Sequence, residues 1–97
     1  MSLYAGSRAR VFFRFRDWRG GVVTPINLAS VAEKRVEIKG PRGATIDDVT
    51  LNIIDSAAGT AYADIPEGAL TAGGWKFQGI ADGYRSNVVR RQVLKNP

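Results

Sequence analysis

The side chains that most often carry chemistry in proteins are missing from this sequence. Its 97 residues include no cysteine and no histidine, so the chain has no thiolate nucleophile and lacks the commonest acid–base side chain. The same absence removes almost every pattern of structural zinc ligands. We therefore predict a protein that is not an enzyme and that uses neither a metal nor a cofactor.

The remaining candidates for chemistry are carboxylates and hydroxyls, and their spacing favours structural roles. Asp47 and Asp48 are adjacent, so in an extended chain they point to opposite sides and form neither a catalytic pair nor a calcium loop. The internal serines lack both a histidine partner and the sharp turn of a nucleophile elbow; they are Ser7, Ser30, Ser56 and Ser86. We expect turns or strand edges at these positions.

Charge is distributed unevenly along the chain. The formal net charge is +5; residues 1–20 and 83–97 are strongly basic, whereas residues 46–70 contain acids and no base. Such asymmetry is typical of partner contact or assembly, although ordinary solvated strand faces produce it too. The acids of the middle segment are Asp47, Asp48, Asp55, Asp64 and Glu67.

The basic ends are candidates for contact with either protein or nucleic acid. Arginines suit phosphates, and Phe12 or Trp18 could stack on unpaired bases; arginine is also favoured at protein interfaces, where it pairs with carboxylates. We favour a protein contact in which the basic ends of one copy meet the acidic middle of the next, an arrangement that can close into a ring. The candidate interface residues are Arg10, Phe12, Arg14, Arg16, Trp18, Arg90, Arg91, Asp47, Asp48, Asp55 and Asp64.

The segment 8–21 must position the first group of these side chains. Its apolar residues Val11, Phe13 and Phe15 alternate with arginines, and alternate side chains of a strand point to opposite faces. One face is therefore predicted to be buried and the other solvated. Three large apolar groups on one face require a second layer, which indicates a two-layer β structure. Phe12, on the arginine face, is the apolar residue that we expect a neighbouring subunit to cover.

The rest of the sequence contains further short strands separated by turn signals. We predict that the segment 17–21 closes the first strand in a turn, and that Trp18 there is either a lid over the sandwich end or an exposed interface anchor. The last strand should start near Tyr84 after a hairpin turn, with its inward register left open. The other extended segments are 22–28, 34–39, 49–53, 60–65 and 75–81. The spacing predicts a single all-β domain over residues 1–97: an immunoglobulin-like antiparallel β-sandwich of about seven strands.

The succession of these features resembles the small immunoglobulin-like domains of tailed-bacteriophage structural proteins, such as the N-terminal domain of baseplate upper proteins. The resemblance covers nearly the whole chain and consists of the segments 4–7, 17–20, 25–28, 36–43, 55–60 and 73–78. The aspartate expected after Gly6 is replaced by Ser7, and the long C-terminal extension of baseplate proteins is missing. These departures favour a small accessory, neck, tail or head-decorating protein, and the resemblance implies no catalytic residue.

The sequence thus predicts a non-catalytic virion structural or assembly protein, made in the bacterial cytoplasm, which forms a homo-oligomer with no membrane or small-molecule partner. The main alternative is a nucleic-acid-binding β-domain that uses the arginine face. A third hypothesis is a carbohydrate-binding module with Trp18, Tyr62 or Tyr84 as the sugar platform.

Overall fold

The structure, a computed structural model that describes residues 3–47 and 49–95, is an all-β sandwich. The predicted all-β sandwich class is confirmed. Within the described residues the chain forms more strands than the expected seven, because the first segment is broken and two strands contain only two residues each. The strands are β1 (Leu3–Tyr4), β2 (Ala9–Arg14), β3 (Arg16–Arg19), β4 (Val22–Pro25), β5 (Lys34–Lys39), β6 (Thr45–Ile46), β7 (Asn52–Asp55), β8 (Thr60–Ile65), β9 (Gly73–Ala81) and β10 (Tyr84–Leu94).

The strands form two main sheets and a separate ribbon. The larger sheet has the order β1-β10-β9-β5-β6, and the smaller sheet has the order β2-β8-β7. Among these described strands the pairs are antiparallel except for β1, which runs parallel to the end of β10. The ribbon consists of β3 and β4, which pair only with each other. We call this ribbon, residues 16–25, the arm.

Burial in β2 alternates from one residue to the next, as the alternation of apolar residues and arginines predicts. Val11, Phe13 and Phe15 are almost completely buried, while Phe12 and Arg14 between them are exposed. The inward face of β2 packs into a single cluster with the inward residues of β8, β5 and β9. Burying such an apolar face against a second sheet is what stabilises a two-layer β fold.

Strand β9 supplies the central aromatic residues of the larger sheet. Trp75 and Phe77 are buried in the same cluster as Phe13 and Phe15. Gly79 continues this face, and a Cβ there would lie 2.9 Å from Cζ of Phe15, so the ring occupies the space that a side chain would need.

Ile80 is an exception to the alternating burial along β9. It lies on the face opposite Phe77, yet it is only 2% exposed. Its cross-strand neighbours are Arg35 on β5 and Arg85 on β10. The aliphatic parts of long arginine side chains commonly cover apolar surface in this way.

The last strand takes the register in which Val89 and Val93 face inward, while Val88 and Leu94 remain exposed. Its ladder with β9 shifts between Arg85 and Val88, and this irregularity turns Ser86 into the interior. The Ser86 hydroxyl accepts a hydrogen bond from the Gly79 N–H (2.8 Å) and donates one to the Asn87 carbonyl (2.9 Å). The buried hydroxyl is thereby fully satisfied.

The first predicted strand is interrupted at Phe15, and the expected turn at 17–21 is shorter than predicted. Asp17 to Arg19 belong to β3, and only Gly20 and Gly21 make the turn, both with positive φ. The chain leaves the smaller sheet at this point. The Phe15 N–H donates to the Gly59 carbonyl (2.7 Å), and the Phe15 carbonyl accepts from the Ile26 N–H (3.0 Å). These bonds fix the root of the arm.

Candidate interaction surfaces

The arm exposes three large apolar side chains. Trp18 is 69% exposed, Val22 63% and Val23 48%. Trp18 and Val23 are direct cross-strand partners, so they share one face. The structure thus makes Trp18 an exposed strand residue, and of the two predicted roles it excludes the lid over the sandwich.

The outer face of the smaller sheet carries an ion pair within the chain. Arg10 Nε donates to Asp64 Oδ1 (2.7 Å) and Arg10 Nη2 to Asp64 Oδ2 (3.2 Å), between directly opposed positions of β2 and β8. The hydrogen bond from Arg10 lowers the pKa of Asp64, and that same bond raises the pKa of Arg10. The guanidinium also lies 4.3 Å from the ring centroid of Tyr62. Arg10 and Asp64, both candidate interface residues, therefore pair with each other.

Phe12 lies beside this ion pair and is 59% exposed. Its ring is 6.5 Å from that of Tyr62, centroid to centroid, and it shares a shallow depression with Ile54, Arg14 and Asn87. Ile54 is also more than half exposed. Coverage of Phe12 by another subunit stays a prediction, and the structure adds Ile54 to the surface that such a subunit would contact.

The two basic ends of the sequence meet where β2 lies beside β10. The Arg14 N–H donates to Asn87 Oδ1 (2.9 Å), which joins the two strands. Arg10 and Arg91 line one depression at this junction. Arg14 and Arg16 line another, together with Arg85.

Arg90 and Arg91 are consecutive residues of β10, so their side chains lie on opposite faces of the strand. Arg90 stands opposite Lys76 of β9 in the larger sheet. Among the described residues none of Arg14, Arg16, Arg90 and Arg91 forms an ion pair. The structure therefore brings Arg10, Arg14, Arg16 and Arg91 to the β2–β10 junction.

The predicted acidic residues do not form one cluster. Asp55 accepts a hydrogen bond from the Ala58 N–H (3.2 Å) and so stabilises the loop between β7 and β8. Asp64 pairs with Arg10, and Glu67 lies 3.9 Å from Arg8. Asp47 is exposed, and Asp48 lies outside the described residues.

Sequence reasoning missed several residues of these surfaces. The sequence gives no sign that Val22 and Val23, which follow the Gly20-Gly21 turn, are exposed, because valines in an extended segment normally indicate burial. Arg85 and Asn87 were missed because the irregularity in β10 decides where they point. The three aromatic residues of the carbohydrate hypothesis lie on β3, β8 and β10, and none is a cross-strand neighbour of another.

The described part of the chain contains no group of three or more acidic side chains placed to hold a metal ion. No helix within residues 3–47 and 49–95 is long and apolar enough to cross a bilayer. Comparison with protein-family models and with curated proteins finds no match for this sequence.

Proposed function

We propose that this chain is a non-catalytic structural protein that acts through protein–protein contacts and assembles with copies of itself. The observation that supports the proposal is the arm, in which Trp18, Val22 and Val23 stay exposed outside both sheets. A two-stranded ribbon is marginally stable alone in water. Exposed tryptophan is also the residue type most enriched among the anchors of protein interfaces. The arm is therefore suited to docking on a neighbouring subunit.

The sandwich is of the immunoglobulin type in this proposal. Its strand order supports this: β10-β9-β5 corresponds to the G-F-C order of one immunoglobulin sheet, and β2-β8-β7 corresponds to the B-E-D order of the other. The position of β6 beside β5 corresponds to the added strand of the variable type. In this alignment the arm is an insertion between the second and third standard strands.

A tailed-bacteriophage particle is the proposed location. The resemblance of the sequence to the immunoglobulin-like domains of phage structural proteins supports this assignment, and tail, baseplate, neck and decoration proteins are all compatible with a small sandwich that carries a docking arm. Repeated subunits in such particles are related by rotation, so one arm-mediated contact can generate a ring.

The proposal is tested by the mass of the protein in solution. We expect light scattering coupled to size-exclusion chromatography to show a mass above that of the monomer, increasing with protein concentration. Trp18→Ser should weaken this association by about tenfold or more, because it removes an apolar anchor. Tyr84→Ser is the matched control, since Tyr84 is also an exposed aromatic residue but lies outside the arm.

Two results would contradict the proposal. One is a monomer at every concentration. The other is that the wild type and Trp18→Ser associate equally while circular dichroism shows that both proteins are folded.

Nucleic-acid binding is the second candidate function. The arginines at the β2–β10 junction that have no ion-pair partner among the described residues favour it. Contacts to phosphate would make binding to single-stranded DNA fall steeply with salt concentration. A binding assay over a range of salt concentrations therefore tests this candidate.

A further inference from the structure

Two strand edges on one flank of the sandwich are left wholly or mostly uncovered by the other strands of the described chain. Strand β2 pairs with β8 on one side only, because it is the outermost strand of the smaller sheet. Strand β10 is covered by β1 only at Val93 and Leu94. The Arg14–Asn87 hydrogen bond shows that these edges lie side by side. We call this region, formed by residues 8–16 and 85–91, the basic flank.

The backbone of β2 offers hydrogen-bonding groups to the basic flank. The Phe15 N–H donates towards β8, to Gly59, whereas the Arg14 N–H donates to Asn87 on the opposite side. Backbone groups of an antiparallel strand alternate in direction, so the N–H and C=O groups of Arg10 and Phe12 also point away from β8. No hydrogen bond to these groups is found within the described chain. They form a template for one further strand.

The arginines of the basic flank indicate the charge of the ligand that would bind there. Arg8 and Arg91 line the depression at one end, and Arg14, Arg16 and Arg85 line the depression at the other. No carboxylate lines either depression. Arg14, Arg16 and Arg91 have no ion-pair partner among the described residues. An anionic ligand is therefore favoured at both ends of the edge.

We propose that the basic flank binds an extended acidic segment of a partner protein, which adds to β2 as a fourth strand of the smaller sheet. Backbone hydrogen bonds to Arg10 and Phe12 hold the segment, and its carboxylates meet the arginines at both ends. This inference rests on the proposed role in protein–protein contacts and names a partner for a surface that shares only Arg16 with the arm.

A peptide fits this site better than a nucleic acid. The β2 edge alternates N–H donors with C=O acceptors, and a peptide backbone matches both. A phosphodiester backbone offers only acceptors, so it would leave the carbonyls of Arg10 and Phe12 without partners. Arg10 is also already engaged by Asp64.

The test uses a fluorescent peptide of about eight residues in which glutamate alternates with valine, a length within the range of natural strands. We expect saturable binding to the full-length protein, measured by fluorescence anisotropy. The charge-reversal double variant Arg14→Glu/Arg91→Glu should weaken binding at least about tenfold. Lys34→Glu/Arg42→Glu is the matched control, since it changes the net charge equally at exposed positions outside the basic flank and should bind as the wild type does.

A second peptide separates strand addition from simple charge attraction. N-methylation of alternate amides removes the donors along one edge and keeps every carboxylate, and we expect it to weaken binding at least about tenfold. Nuclear magnetic resonance should show the amide signals of Arg10 and Phe12 shifting on binding of the unmodified peptide. Equal binding of both peptides, or equal loss in both double variants, would overturn the proposal. A single-stranded oligothymidylate that binds more tightly than the acidic peptide and loses affinity in Arg14→Glu/Arg91→Glu would also overturn it.

The variant Trp18→Ser allows the peptide-binding test to be judged separately from the proposed self-association. Trp18→Ser should bind the acidic peptide as the wild type does, because Trp18 lies outside the basic flank. If no peptide binds while self-association still depends on Trp18, the inference about the flank is wrong and the proposed function stands.

Discussion

Gly59 is the residue on which the position of the arm depends most directly. It is buried and has a φ of +68°, and its carbonyl accepts the Phe15 N–H at the root of the arm. A Cβ at this position would lie 2.5 Å from the Phe15 carbonyl oxygen and 2.8 Å from that of Ile26. Those oxygens are backbone atoms, so neither can move without shifting the start or the end of the arm.

Gly59→Ala should therefore destabilise the protein more than an ordinary glycine substitution in a left-handed turn. Gly83→Ala is the control, because Gly83 has a φ of +84° and open space around it. We expect Gly83→Ala to lower the free energy of unfolding by about 1–2 kcal/mol, the cost of left-handed backbone for a residue with a Cβ. Gly59→Ala should lose about 1–3 kcal/mol more, because the steric conflict adds to that cost. Urea unfolding measures both, and equal losses would contradict the structure.

Residue types alone predict which arginines are solvated, but they do not predict which groups these arginines pair with. The pairing of Arg10 with Asp64 depends on the register of β2 against β8, and that register becomes known only when both strands are placed. For Trp18 the sequence leaves two roles open. The exposure of this residue, 69%, excludes the lid over the sandwich, and the role as an interface anchor stays a prediction.

Strands in which apolar and polar residues alternate strictly are predicted well from the sequence. Strand β5 has the predicted bounds, and β8 buries Ala61, Ala63 and Ile65 on one face as expected. The last strand could not be predicted in the same way, because it carries apolar residues on both faces. Its irregularity after Arg85 shifts the register midway along the strand, and periodicity carries no signal for such a shift.

The register of β10 is tested by two adjacent substitutions, Val93→Asn and Leu94→Asn. Val93 is 1% exposed and Leu94 37%. Val93→Asn should cost about 2–4 kcal/mol of unfolding free energy, because it loses apolar burial and places an amide in the core. Leu94→Asn should stay within about 1 kcal/mol of the wild type. A larger loss at Leu94, measured by urea unfolding, would mean that the opposite face of β10 is buried.

At the scale of the whole molecule, internal pairing uses many of the acidic side chains. Asp64 and Glu67 lie against arginines of the N-terminal segment, and Glu37 contacts both Lys39 (3.3 Å) and Arg85 (3.6 Å). The basic side chains that form no ion pair in the described chain include Arg14, Arg16, Arg90 and Arg91 near its two ends. Of the acids in the head-to-tail hypothesis, Asp47 and Asp55 form no ion pair in the part of the chain that is described, and Asp48 lies outside that part.

Salt dependence distinguishes an apolar contact through the arm from this charge-based contact between copies. Raising the ionic strength from about 0.1 M to about 1 M shortens the screening length from about 10 Å to about 3 Å. Association that buries Trp18, Val22 and Val23 should change by less than about threefold over this range, because apolar burial is not screened. Sedimentation velocity on the wild type, with Trp18→Ser as the control, measures the change. Weakening by about tenfold or more would instead favour contacts between the arginines of one copy and Asp47 or Asp55 of the next, since exposed ion pairs lose their attraction when salt screens them.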